Sequence, residues 1–206
     1  MCRQSSRSVI ITGLHVDGNN PGPFSPRKSN VSIVSAPRLF PEMEYLGSAT
    51  DFVDEIHDIV KSMALFGGFS KQECEVLCEY MECYGAPSKT TILNEGDQGD
   101  FLIIVLTGQI NVVKADDAAT SKEVAQFGPG GLLGEMSLFD GQPRFASCIA
   151  TQPTDFAVLA RDSINDLLID HPRLCNKLLL ILLQVMAVRL RVTTTRMLPG
   201  ISGVSI

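Results

Sequence analysis

The chain has 206 residues, 45% of them apolar, and a net charge of −6, enough for one domain with a sizeable core plus a tail and against general attraction to nucleic acid. Its six cysteines are too sparse for the paired framework of a small secreted domain. The only apolar stretch near the start, Val9–Leu14, is shorter than a secretory h-region, so the chain reads as cytoplasmic.

In chain order, residues 1–49 hold five of the eleven prolines, eight serines and a net charge of +2. They are expected to form a flexible tail, with short ordered pieces near Val31–Val34 and Arg38–Phe40. From Ser48, the residues Phe52, Val53, Ile56, Ile59, Val60 and Met63 recur at helical spacing. Gly67-Gly68 then forms a hinge. Ser70, followed three residues later by Glu73, marks the start of a second helix running to about Met81. Cys74, Cys78 and Cys83 lie close together, but their spacing matches no common iron–sulfur motif, so they are expected as small core residues.

The middle is β-rich. Thr90–Leu93, Phe101–Leu106, Ile110–Val113, Lys122–Phe127, Cys148–Ala150 and Phe156–Leu159 are short apolar or β-branched runs, separated by turns such as those at Gly96, Gly99 and Gly108. Many short strands with flanking helices predict a mainly β fold, a jelly roll or barrel. Asp162–Asp170 reads as a short helix. Pro172 opens a long one that reaches about Met197, with Pro199-Gly200 as its stop. The folded domain is thus expected over 50–197, and 198–206 as a short tail.

The long helix has two apolar faces. Leu174, Leu178, Ile181, Val185, Val188 and Val192 form a seam spaced four, three, four, three, four, of the kind paired helices use. Leu179, Leu182, Leu183, Met186 and Leu190 form the other face. Two faces need two partners, so the β-roll is expected on one and a second copy of the helix on the first seam, making a homodimer through 172–197. The continuous apolar stretch, Leu178–Val188, is broken by Gln184 and is shorter than the roughly 20 residues a membrane span needs, so no span is expected.

The chemistry concentrates in Gly130–Ser147. Gly134 lets backbone approach a ligand closely. Glu135–Phe139 can make one helical turn, whose free amides favour an anion. Arg144 offers a planar fork of donors to a phosphate, and Glu135 can accept from sugar hydroxyls. A compact anionic sugar phosphate fits these features.

Gly134-Glu135-Met136-Ser137-Leu138, a spacer, then Pro143-Arg144-Phe145-Ala146-Ser147 resembles the phosphate-binding cassette of the cyclic-nucleotide-binding family, to which catabolite activator proteins and regulatory subunits of cyclic-AMP-dependent kinase belong. Gly96 and Gly108 match that family's turn glycines, and the resemblance covers about residues 60–197. It implies a double-stranded β-helix, or jelly roll, with a long C-terminal helix. It implies a ligand site that includes Gly134, Glu135 and Met136, with Glu135 on the ribose 2′-hydroxyl. Arg144 would hold the cyclic phosphate and the amides of Phe145 and Ala146 would complete the cradle. Phe145 departs from the family's Ala, Ser or Thr; without a hydroxyl it tilts the expected ligand to cyclic AMP over cyclic GMP. Met186–Thr194 resembles the ligand-capping end of the last helix in catabolite activator proteins, so Arg189, Thr193 or Thr194 is expected to cap the base.

In transcription factors of that family a helix-turn-helix domain follows the long helix. Only nine residues follow Met197 here, so no recognition helix and no direct contact with nucleic acid is expected. The three histidines, His15, His57 and His171, lie outside the strands, and no nucleophile–base set is suggested by spacing, so no enzyme and no metal are expected. The expected function is a cyclic-AMP sensor module signalling through a dimer to an unidentified effector protein. The alternative is a degenerate domain kept as a protein-interaction scaffold.

Overall fold

The structure is a computed structural model that describes residues 39–62, 68–115 and 121–197. The expected ordered piece at Val31–Val34, Met63, Gly67, the Pro199-Gly200 stop and the 198–206 tail lie outside them.

Among the described residues, nine strands form two antiparallel sheets. They are β1 (Glu44–Ser48), β2 (Glu82–Ala86), β3 (Thr91–Leu93), β4 (Phe101–Val105), β5 (Ile110–Ala115), β6 (Ser121–Phe127), β7 (Leu132–Leu133), β8 (Ser147–Ala150) and β9 (Thr154–Ala160). One sheet has the order β1-β2-β9-β4-β7 and the other β3-β8-β5-β6. The helices are α1 (Val53–Ser62), preceded by a 3-10 turn at Ala49–Phe52, α2 (Lys71–Cys78), α3 (Glu135–Asp140), α4 (Arg161–Asp170) and α5 (Pro172–Met197). The fold is a jelly-roll-like roll of two sheets with flanking helices and a long last helix.

The larger sheet is buried on both faces, which explains why β4 reads as an unbroken apolar run rather than an alternation. Ile103, Val105, Tyr84 and Phe156 point into the roll against Ile92, Ile110, Cys148 and Ala150 of the other sheet. Leu102, Ile104, Ala157 and Leu159 point the other way, onto residues of α1, α2 and α5. At α2 the expected cap is present in both directions, the Ser70 hydroxyl accepting from the Glu73 amide at 3.2 Å and the Glu73 carboxylate accepting from the Ser70 amide at 2.8 Å. The helix ends at Cys78, short of the expected Met81, because Glu82–Ala86 is drawn into the sheet beside β9.

Two expectations need correction. The tail was expected to run to residue 49, but Glu44–Ser48 pairs with β2, and Phe40 packs edge-on against Tyr84, Phe101 and Phe156 inside the roll. The roll therefore begins before residue 50. The helix seam was expected to meet a second copy, yet Leu174, Leu178, Ile181 and Val185 are buried in the chain's own core, together with Cys175 and Leu182. Only Val188 and Val192 of that seam are exposed. Besides these two, α5 turns Leu180, Leu183 and Leu190 to solvent, with Ala187 between them, spaced three, four, three. By length and composition alone α5 is apolar enough to cross a membrane, but its first half is a core helix of this domain.

Candidate functional site

A cavity of about 380 Å³ opens between the second sheet, α3, the loop before β8 and the last turns of α5. That volume lies in the range of small-molecule sites. Val112, Val124 and Ala125 of β5 and β6 line one wall, and Val188 and Val192 of α5 lie across from them. The polar groups converge from α3, the Gln142–Ala146 loop and α5.

Arg144 sits at the inner end and is 4% exposed. Its Nη1 donates to the Gly134 carbonyl at 2.7 Å and its Nη2 to the Phe101 carbonyl at 2.9 Å, and its guanidinium carbon lies 4.5 Å from the Phe101 ring centroid. Among the described residues, no carboxylate forms an ion pair with it. Burial pushes the guanidinium below its usual pKa, opposed by the fields of Cys148, Asp100, Glu135 and Asp97. A buried cation satisfied only by neutral carbonyls favours an anion brought beside it.

The backbone around this cation is built to let it pass. A Cβ on Gly99 would lie 2.3 Å from Arg144 Nη2, and one on Gly134 would lie 2.6 Å from Nη1. Gly134 also has φ +82°, which glycine adopts without strain, and it leads into α3 as its N-terminal cap residue. The Arg144 main chain is clamped by the 94–97 turn, its amide donating to Asp97 O at 2.8 Å and its carbonyl accepting from the Gly96 amide at 2.9 Å.

Glu135, 2% exposed, points from α3 into the cavity, while Met136 on the same turn also lines it and stays exposed. The Glu135 carboxylate accepts from Arg189 Nη1, and Arg189 Nη2 donates to the Leu132 carbonyl. The Arg189 guanidinium lies 4.9 Å from the Phe127 ring. Gly134, Glu135, Met136, Arg144, Phe145, Ala146, Arg189 and Thr193 are thus brought to one cavity. Thr194 does not line it: one residue further on, it turns to the exposed side of α5, roughly 100° away. Phe145 is 56% exposed at the mouth, its ring facing the Lys114 ammonium at 4.6 Å.

Several residues here have no signal in the motif. Gly99 and Phe101 come from the turn before β4 and from β4 itself, and only the closed roll brings them to Arg144. Arg196 also lines the cavity. It lies seven residues beyond Arg189 and three beyond Thr193, so a helical projection would have found it. Cys74, Cys78 and Cys83 are buried, and burial pushes their thiols up to about 11, 12 and 12. Among the described residues, no group of three His, Cys, Asp or Glu is placed to hold a metal ion.

Comparison with known proteins agrees with this geometry. The profile of the cyclic nucleotide-binding domain matches residues 85–171. The structure of a cyclic nucleotide-binding domain from Methylobacillus flagellatus superposes with a TM-score of 0.72 at 45% identity, covering 82% of this chain and 96% of that one. The Thermus thermophilus catabolite activator protein superposes with a TM-score of 0.58 at 28% identity, over 65% of this chain and 61% of that one. Among curated proteins, the cyclic AMP receptor protein of Thermus thermophilus is 31% identical over 103 residues, 50% of this chain and 48% of its own length. The cAMP-dependent protein kinase regulatory subunit of Yarrowia lipolytica is 28% identical over 120 residues, 57% of this chain and 31% of its own. The chain thus spans less than half the length of these two curated relatives. With a cassette read from sequence, a two-sheet roll that carries it and a near full-length structural match, the chain belongs to the cyclic nucleotide-binding domain family.

Proposed function

We propose that this domain is a sensor that binds cyclic AMP in preference to cyclic GMP in the cavity between Arg144 and Glu135. The observation that carries the reading is Arg144: a buried guanidinium with no carboxylate ion-paired to it among the described residues, facing an apolar-walled cavity beside a carboxylate. The cyclic phosphate brings this guanidinium an anionic partner. The amides of Phe145 and Ala146, which donate to no acceptor among the described residues, add donors to it. Glu135 accepts from the ribose 2′-hydroxyl, and the purine lies against Val188, Val192 and Thr193 of α5. Phe145 brings no hydroxyl, which supports cyclic AMP over cyclic GMP.

The reading is of a binding module and not of an enzyme. Its polar groups are cations, a carboxylate and a hydroxyl, a set suited to an anionic sugar, and the relatives named above are a receptor protein and a kinase regulatory subunit. Signalling runs through α5. Arg189 holds α5 to Glu135, so a ribose hydroxyl arriving at Glu135 competes with that contact and shifts the helix. The exposed Leu180, Leu183, Ala187 and Leu190 face supports a homodimer about a two-fold axis, with the effector protein reading the geometry of the pair. Burial of Leu174, Leu178, Ile181 and Val185 in the core supports reading α5 as a helix of a folded domain over a membrane span, in keeping with the cytoplasmic placement we propose.

Calorimetric titration with cyclic AMP, cyclic GMP and cyclic di-GMP tests the reading. Heat with cyclic AMP, weaker heat with cyclic GMP and none with the dinucleotide is the expected order. A second reading, a scaffold that has lost its ligand, has one observation in its favour: the Glu135 carboxylate is already engaged by Arg189. Absence of heat with all three nucleotides would establish that reading instead.

A further inference from the structure

Lys114 lies outside every motif of the sequence and outside the cavity lining, yet it touches the phosphate-binding loop twice. Its Nζ donates to the Phe145 carbonyl at 2.7 Å and lies 4.6 Å from the centre of the Phe145 ring. The same ammonium pairs with Glu95 Oε1 at 2.7 Å. Glu95 is itself held on both sides, its Oε2 accepting from the Ala115 amide at 3.0 Å and its own amide donating to Ser147 Oγ at 2.9 Å. Register places Lys114 there: Val113, its neighbour on β5, pairs with Ser147 at the start of β8, directly after the loop. The β5–β8 register runs unbroken from Ile110 opposite Ala150 to Val113 opposite Ser147, so Lys114 is the next residue of β5 beyond the last pair.

The geometry has a consequence for the far side of that peptide. In a planar trans peptide the carbonyl and the following N–H point in opposite directions. With the Phe145 carbonyl drawn to Lys114, behind the cavity wall, the Ala146 N–H faces the other way. Ala146 lines the cavity, and its amide donates to no acceptor among the described residues. A cation on the carbonyl also polarises the N–H, making it a stronger donor.

We propose that Lys114 is a positioning residue of the anion site. It fixes the Phe145–Ala146 peptide with its N–H turned into the cavity, holds the Phe145 ring back at the mouth, and sets a positive charge behind the loop where position 145 has no hydroxyl. The proposal deepens the cyclic-nucleotide reading and rests on it.

The test uses the full chain, Lys114→Met, which keeps the aliphatic stem, and Lys114→Arg, which keeps the charge. Calorimetry compares cyclic AMP with adenosine, which has the same base and sugar but no phosphate. Loss of one charge-assisted contact behind the loop should weaken cyclic AMP binding about tenfold in Lys114→Met. Adenosine affinity should not change, and Lys114→Arg should restore most of the loss. Equal losses for both ligands, or unchanged cyclic AMP affinity, would overturn the assignment. The amide NMR signal of Ala146 in the protein without nucleotide provides a second readout. It should shift and broaden in Lys114→Met but not in Lys114→Arg, and an unmoved signal overturns the positioning role. If the unmodified protein binds no cyclic nucleotide, the functional reading fails by itself, and the Ala146 signal still decides the role of Lys114.

Discussion

Replacing Arg144 with alanine separates what this residue does for the fold from what it does for a ligand. In the folded protein its two donors satisfy the Gly134 and Phe101 carbonyls, and its guanidinium covers the Phe101 ring. Removal leaves two part-buried acceptors short of a donor, at about 1 kcal/mol each. It also relieves the cost of holding a cation 4% exposed without an ion pair, which burial registers as a lowered pKa. These effects oppose each other, so the unfolding free energy should change by no more than about 2 kcal/mol. Binding has no such offset. A desolvated phosphate that loses its charged partner costs about 2–5 kcal/mol, or roughly 30- to 5,000-fold in affinity. Urea unfolding measures the first quantity and calorimetry with cyclic AMP the second. Arg144→Lys should fall between, because it keeps the charge without the planar fork. Wild-type affinity in a folded Arg144→Ala protein would refute the placement of the phosphate at this residue.

Gly99→Ala should weaken cyclic AMP by about tenfold or more, because a Cβ 2.3 Å from Arg144 Nη2 has to displace a guanidinium held by two hydrogen bonds; fluorescence competition checks this, and full affinity would mean that Arg144 is not fixed there. Leu183→Glu and Leu190→Glu should leave a folded monomer by light scattering, since both positions are more than 60% exposed. Ile181→Glu should instead destabilise the fold by about 3 kcal/mol or more, because it places a charge in the core. A dimer that persists in both leucine variants would exclude this face. Lys177 and the Ser70 amide hold the Glu73 carboxyl below its ordinary pKa of 4.5. A depressed carboxylate contributes stability that is full above the unfolded value and is lost as pH falls through the folded one. Glu73→Gln should therefore cost about 0.5 kcal/mol at neutral pH, small because the pair is about one-third exposed. The difference from the unmodified protein should vanish by about pH 2 in urea titrations, and a constant difference across pH would be the contrary result.

The cassette was legible in the sequence because its chemistry is local. Gly134, Glu135, Arg144 and Ala146 fall within thirteen residues of chain, and the glycine, carboxylate and guanidinium each have a physical reason to stand where they do. The capping box at Ser70 and Glu73 is local in the same sense, and both of its hydrogen bonds form. Other features depended on partners distant in the chain. Glu82–Ala86 has no clear strand pattern until β9 pairs with it, and Glu44–Ser48 none until β2 does. Lys114 and Gly99 acquire meaning only when β5 and the turn before β4 close around the loop. The clearest case is α5. Its sequence shows two apolar faces of similar width, and helical periodicity states that each is a face without saying which one is covered. That choice belongs to the roll. The face carrying Leu178, Ile181, Leu182 and Val185 packs with α4 and joins the core that α1, α2 and the larger sheet share. The same side of the helix, continued past Val185, presents Arg189, Val192, Thr193 and Arg196 to the cavity, while Leu183 and Leu190 are left to solvent. Sequence determines which residues share a side of a helix; only the packing of distant elements determines what that side meets.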